Sequence, residues 1–123
     1  MPKHKQDDAG VAVLVEQVEL SYLGLDKLYP GTTDAVIQAL DTMYRSKHIA
    51  VKGIVLPQDA IRARLMKLSP EAILHTVTAF TEACRTRLVL NPQRYLMSAI
   101  YESPGMVTLK DMADFQRLER FTE

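Results

Sequence analysis

The stretch SPEAILHTVTAFTEACRTRLVLNPQRYLMSAIYESPG, Ser69–Gly105, decides the fold. Ser69-Pro70-Glu71 is a helix start: a hydroxyl that can accept from free amides, a proline where no donor is needed, and an acid near the positive helix end. The spacing that follows predicts a helix burying Ile73, Leu74, Val77, Phe80 and Cys84 on one stripe. Asn91-Pro92 repeats the device and opens a second helix with Tyr95, Leu96, Ala99 and Ile100 at helical intervals. Ser103-Pro104-Gly105 predicts the end of that helix.

Working outward, Pro57 opens a segment with Ile61, Leu65 and Leu68 at helical spacing. Before it, Ile49, Val51, Ile54 and Val55 flank Lys52-Gly53, which predicts a small hairpin near 48–56. Tyr29-Pro30-Gly31 reads as a turn. A helix is expected from Thr32 or Thr33, capped by a hydroxyl, with Val36, Ile37, Leu40, Met43 and Tyr44 on its apolar face. Val11 to Leu20 leans to helix through Val11, Leu14, Val15 and Val18, and Met1 to Gly10 reads as a flexible polar tail. Downstream, residues 106–123 read as a further amphipathic helix with Leu109, Met112, Phe115 and Leu118 on one side. That stripe is expected to pack on the chain's own core, with a dimer contact as the other reading. The expectation is a mainly α, compact bundle of five or six short helices: a tail at 1–10, a helical domain at 11–105 and the last helix at 106–123.

The chain has 123 residues, 47% hydrophobic and 24% charged, the range of an ordinary globular domain. Its longest apolar run, Val11 to Val15, is too short to span a bilayer, and Asp7 and Asp8 interrupt any secretory-signal pattern. The one cysteine, Cys84, fits a reducing, cytoplasmic location. Net charge is zero, yet Arg45 to Arg94 holds nine basic residues against Asp59, Glu71 and Glu82. A chain polarised in this way can present a basic face to phosphate or to an acidic partner.

Enzymatic signals are weak. Cys84 and His75 are nine residues apart on one predicted helix, about 900° of rotation, so they project from opposite faces and Cys84 reads as core. Asp111 and Asp114 are expected to sit in the first turns of the last helix, favourable for its dipole. No His/Cys/Asp spacing suggests a metal, no glycine array suggests a nucleotide, and no cofactor is expected. The candidate binding residues are instead Arg62, Arg64, Lys67, Arg85, Arg87, Arg94 and Tyr95, since guanidinium groups beside an aromatic ring can hold a nucleic-acid backbone and an unpaired base.

Val51 to Pro57, Ala60 to Ser69, Asn91 to Tyr101 and, upstream, Val15 to Tyr22 together resemble the C-terminal domain of RepA-type replication initiators. Those proteins serve plasmids and mobile elements of Gram-positive bacteria. The family carries an N-x-x-x-Y-L-x-x-x-L-Y-N-A-P-like stretch, matched here by Asn91-Pro92-Gln93-Arg94-Tyr95-Leu96 and Tyr101, with Glu102-Ser103-Pro104 at its end. The resemblance covers about Val15 to Pro104. It implies a helical module similar to that of the primosome protein DnaD, engaged with host primase or related machinery while a separate winged helix reads the origin. The DnaD-like Tyr-x-x-x-Ile-x-x-x-Trp pattern is not reproduced: Ala99 and Ser103 follow Tyr95, and the sequence has no tryptophan.

The resulting expectation is a non-enzymatic module that recruits a host replication protein such as primase through helix faces and a basic surface. Direct DNA binding by the same face is the first alternative. A small self-associating protein, a homodimer through the last helix, is the second. No membrane partner is expected.

Overall fold

The computed structural model describes the backbone of residues 2–122 and the side chains of residues 6–116. Its α-helices are α1 (Pro2–Gln17), α2 (Thr32–Arg45), α3 (Gln58–Leu65), α4 (Pro70–Thr86) and α5 (Pro92–Thr122). Two single-turn 3₁₀ segments, Leu20–Tyr22 and Leu25–Lys27, link α1 to α2. Strands β1 (His48–Val51) and β2 (Ile54–Pro57) form an antiparallel hairpin with His48 opposite Pro57 and Val51 opposite Ile54. Lys52 and Gly53 turn it with φ of 51° and 80°, the left-handed pair that matches the twist of a two-residue hairpin. The fold is the mainly α bundle with a small hairpin that the periodicity predicts.

The core is continuous. Leu14 from α1 and Val18 from the turn that follows it meet Val36, Leu40 and Met43 from α2, Ile61 and Leu65 from α3, Ile73 and Val77 from α4, and Leu96 and Ile100 from α5. Helix ends are closed by side chains. Ser69 Oγ accepts from Ala72 N–H at 3.1 Å, and Asn91 Oδ1 accepts from Arg94 N–H at 3.1 Å, as the cap-then-proline reading predicts. Gln17 Nε2 reaches across from α1 to the carbonyls of Leu65, Met66 and Leu68, at the end of α3 and in the turn after it, where Leu65 O also accepts from the Leu68 amide at 3.1 Å. Gly10 sits where a methyl group would overlap the phenol of Tyr44, so α1 approaches α2 through the one residue small enough.

Several expectations need correction. The polar start is not a tail, because α1 begins at Pro2, and Asp8 pairs with Arg45 while Asp7 pairs with Arg62 at 3.2 Å. Helix α2 is not capped by a threonine hydroxyl. Thr32 Oγ1 donates to Tyr29 O at 2.6 Å, and the Thr33 amide donates instead to Asp26 Oδ1 at 2.9 Å. The buried arc of α4 runs through Ala72, Ile73, Thr76, Val77 and Ala83. Leu74 lies about 100° past Ile73 on the helix and is exposed. Cys84 is exposed because, in the last turn of α4, it faces an apolar cleft left open between Tyr29, Pro30, Phe80 and Pro92.

The largest correction concerns Ser103-Pro104-Gly105, which does not end a helix: α5 runs through it. Proline at 104 has no N–H for Ile100 O, but Ser103 Oγ donates to that carbonyl at 2.8 Å. Tyr101 O, the acceptor one step on, receives Arg64 Nε at 2.7 Å. Gly105 leaves space for this, since a β-carbon there would lie 3.0 Å from Arg64 Nη2. The division drawn at 105/106 therefore falls inside one helix. Asp111 and Asp114 are mid-helix, far from the positive end that was to explain them. Leu109, Met112 and Phe115 are exposed and do not pack on the core. The side chain of Leu118 lies outside the described residues.

Candidate functional site

The seven predicted binding residues do not form one surface. Arg62 and Arg64 are two positions apart on α3, about 200° around the helix, and leave it on opposite sides. Arg62 Nε donates to Tyr44 O at 3.0 Å, and its guanidinium lies 4.0 Å over the Tyr44 ring. Arg64 serves the proline site of α5 and lies 5.2 Å over the Tyr101 ring. Both are half-buried and committed to structure. Lys67 is exposed in the turn after α3, and Arg85 is exposed beside Glu82 at 3.7 Å.

Arg87, Arg94 and Tyr95 do converge. They line a cleft of about 810 Å³ with Lys52 and Gly53 from the hairpin turn, the loop Leu88 to Asn91, and Glu102 from α5. The cap and proline at Asn91-Pro92 start α5 so that Arg94 and Tyr95 emerge in its first turn beside this loop. Arg87 closes α4 in an extended conformation and turns back over Tyr95, its Cζ 5.5 Å from the ring centre and Nη2 donating to Tyr95 Oη at 3.4 Å. The Tyr95 ring is tilted against Phe80 with centroids 5.8 Å apart, which ties the site to the α4–α5 contact.

Lys52 joins the site from a distant part of the chain and pairs with Glu102 at 2.8 Å. Among the described residues neither Arg87 nor Arg94 pairs with a carboxylate, so the cleft holds three cations against one acid. Leu88 and Leu90 project beside them at 83% and 88% exposure, an apolar pair left in water between two arginines. Sequence reasoning missed Lys52, Glu102, Leu88 and Leu90. The one local signal was the run Arg87-Leu88-Val89-Leu90-Asn91, too apolar for an ordinary loop between two helices. The arrangement can hold an anionic group between Arg87 and Arg94 and an apolar side chain against the leucines.

Elsewhere, Cys84 and His75 share no hydrogen bond, and no group of three or more His, Cys, Asp or Glu among the described residues could hold a metal. The pKa of Arg45 is held above its ordinary value by hydrogen bonds to Asp8 and then Asp41, so its charge is fixed. No helix among the described residues is long and apolar enough to cross a membrane. Comparison with protein-family models, curated proteins and solved structures finds no match to this chain.

Proposed function

We propose that the chain is a non-enzymatic docking module of plasmid or mobile-element replication initiation, acting in the cytoplasm. It recruits a host replication protein, a primase or primosome component, by holding an acidic and apolar segment of that protein in the cleft around Arg87, Arg94 and Tyr95. The observation that carries the reading is the pair of arginines, without a carboxylate partner among the described residues, set beside exposed Leu88 and Leu90. Mixed apolar and guanidinium surface of this kind suits a protein segment, where arginine and buried aliphatic groups dominate recognition. The resemblance in sequence supplies the biological setting, and binding of this kind needs no covalent chemistry.

Direct DNA binding is the weaker reading. Arg62 and Arg64, which would have extended a phosphate-binding stripe, are engaged with carbonyls instead. Tyr95 carries Arg87 over its ring and Phe80 tilted against it, which leaves less of the ring for an unpaired base. The test is calorimetric titration of the full chain with primase and with replicative helicase at low and moderate salt, beside anisotropy of a labelled oligonucleotide. Partner binding weakened about tenfold or more in Arg87→Glu/Arg94→Glu supports the docking reading. Binding to neither protein would count against it, and oligonucleotide binding lost in the same variant would favour DNA.

A further inference from the structure

Antiparallel strands alternate residue pairs that exchange both backbone hydrogen bonds with pairs that exchange none. In the hairpin, Val51 opposite Ile54 closes the two-residue turn, so that pair and Ile49 opposite Leu56 are bonded. Ala50 opposite Val55 and His48 opposite Pro57 are then the unbonded pairs, in keeping with a proline that has no N–H to give. The amides and carbonyls of His48 and Ala50 therefore point away from β2. No group among the described residues hydrogen-bonds to them. Backbone groups left in a row like this are a template for another strand.

This edge borders the candidate site. Ala50 lines the cleft that holds Arg87, Arg94 and Tyr95. His48, Ile49 and Ala50 line an adjoining cleft of about 320 Å³, which shares Asn91 and Arg94 with the first. The other edge of the hairpin offers less, because β2 lines neither cleft and Pro57 gives it no donor at its end. An extended segment can satisfy its own backbone and that of β1 together, whereas a helix keeps its backbone groups for itself. Alternate side chains of such a segment fall on one face. An acid and, two residues on, an aliphatic group can thus meet the arginines and the exposed leucines from a single strand.

We propose that the cleft takes its partner as an added β-strand, an acidic and aliphatic segment of another protein paired to the free edge of β1. The inference rests on the reading of the cleft as a site for a protein segment and adds the backbone mode by which that segment is held.

The test is a titration of the isotope-labelled full chain, followed by NMR, with a synthetic peptide capped at both ends in which threonine alternates with aspartate, leucine and aspartate. The His48 and Ala50 amides are expected to shift and to exchange more slowly with solvent as the peptide binds. Ala50→Pro removes an outward donor that the hairpin ladder does not use, and should weaken binding about tenfold or more. Val55→Pro makes the same change on the β2 edge and should leave binding within about twofold. Should Ala50→Pro fold poorly, peptides N-methylated at one or the other alternating set of residues decide the matter with the parent protein: one set loses binding and the other keeps it. The proposal falls if the peptide does not bind, if Ala50→Pro binds like the parent, if Val55→Pro binds as poorly as Ala50→Pro, or if both N-methylated peptides bind. Binding lost in Arg87→Glu/Arg94→Glu but kept in Ala50→Pro would leave the docking cleft standing and remove the strand. Peptide binding with these responses, beside no binding of primase or helicase, would remove that partner and keep the strand.

Discussion

Replacing Arg62 by alanine should remove the clamp that joins three helices, and its cost can be worked from the contacts. Arg62 Nε donates at 3.0 Å to Tyr44 O, one of the carbonyls that α2 leaves free at its end. A bond from a charged donor to such an acceptor is worth about 1.5 kcal/mol. Nη2 meets Asp7 at 3.2 Å with both side chains about a third exposed, which solvent screening limits to about 0.5 kcal/mol. The guanidinium over the Tyr44 ring at 4.0 Å adds about 0.5–1 kcal/mol. Arg62→Ala is therefore expected to lose about 2–3 kcal/mol, which in a chain of this size lowers Tm by about 8–12 °C. Equilibrium urea unfolding reads the loss as a lower midpoint at constant slope. Arg62→Lys keeps a charge near Asp7 but cannot present a planar fork to Tyr44 O, so it should recover less than half of the loss. Arg94→Ala, on the surface, is expected to stay within about 0.5 kcal/mol of the parent. An Arg62→Ala protein as stable as Arg94→Ala would refute the assignment and leave the Arg62 guanidinium free to bind a partner.

Ser103→Ala leaves Ile100 O without a donor beside Pro104 and should cost about 1–3 kcal/mol in the same urea titration. Adding Pro104→Ala restores an amide donor, so the double variant should regain most of that loss; no loss in the single variant would show that Ser103 does not compensate the proline. Cys84 is exposed, so a thiol reagent should label it in the native protein within a few-fold of its rate in urea. Protection by orders of magnitude would place it in the core after all.

Sequence fixes the features whose causes lie within a few residues. The caps at Ser69 and Asn91 are legible because each oxygen serves an amide three positions on, and the hairpin because Lys52-Gly53 need only their own backbone angles. Pro104 misleads for the opposite reason. Local chemistry says the helix stops, and what carries it onward includes a guanidinium from Arg64, 37 residues back in the chain. Likewise the α4 stripe places Cys84 with the core by angle, and only the position of Tyr29 and Pro30 leaves that last turn uncovered.

The charge count fails most instructively. Nine cations between Arg45 and Arg94 look like a binding face, yet a count cannot separate an arginine that grips a partner from one that satisfies a carbonyl of its own fold. Spacing could have begun the separation: side chains two apart on a helix diverge by about 200°, so Arg62 and Arg64 could never have shared a surface. What spacing cannot reveal is that each side of α3 meets a backbone with carbonyls to spare, the end of α2 on one side and the proline turn of α5 on the other. Where two arginines flank a short helix wedged between such sites, the expectation should be that both are bound internally. Cations whose side chains meet no carbonyl or carboxylate among the described residues, as at Arg87 and Arg94 on either side of the loop Leu88 to Asn91, are then the ones left for a partner.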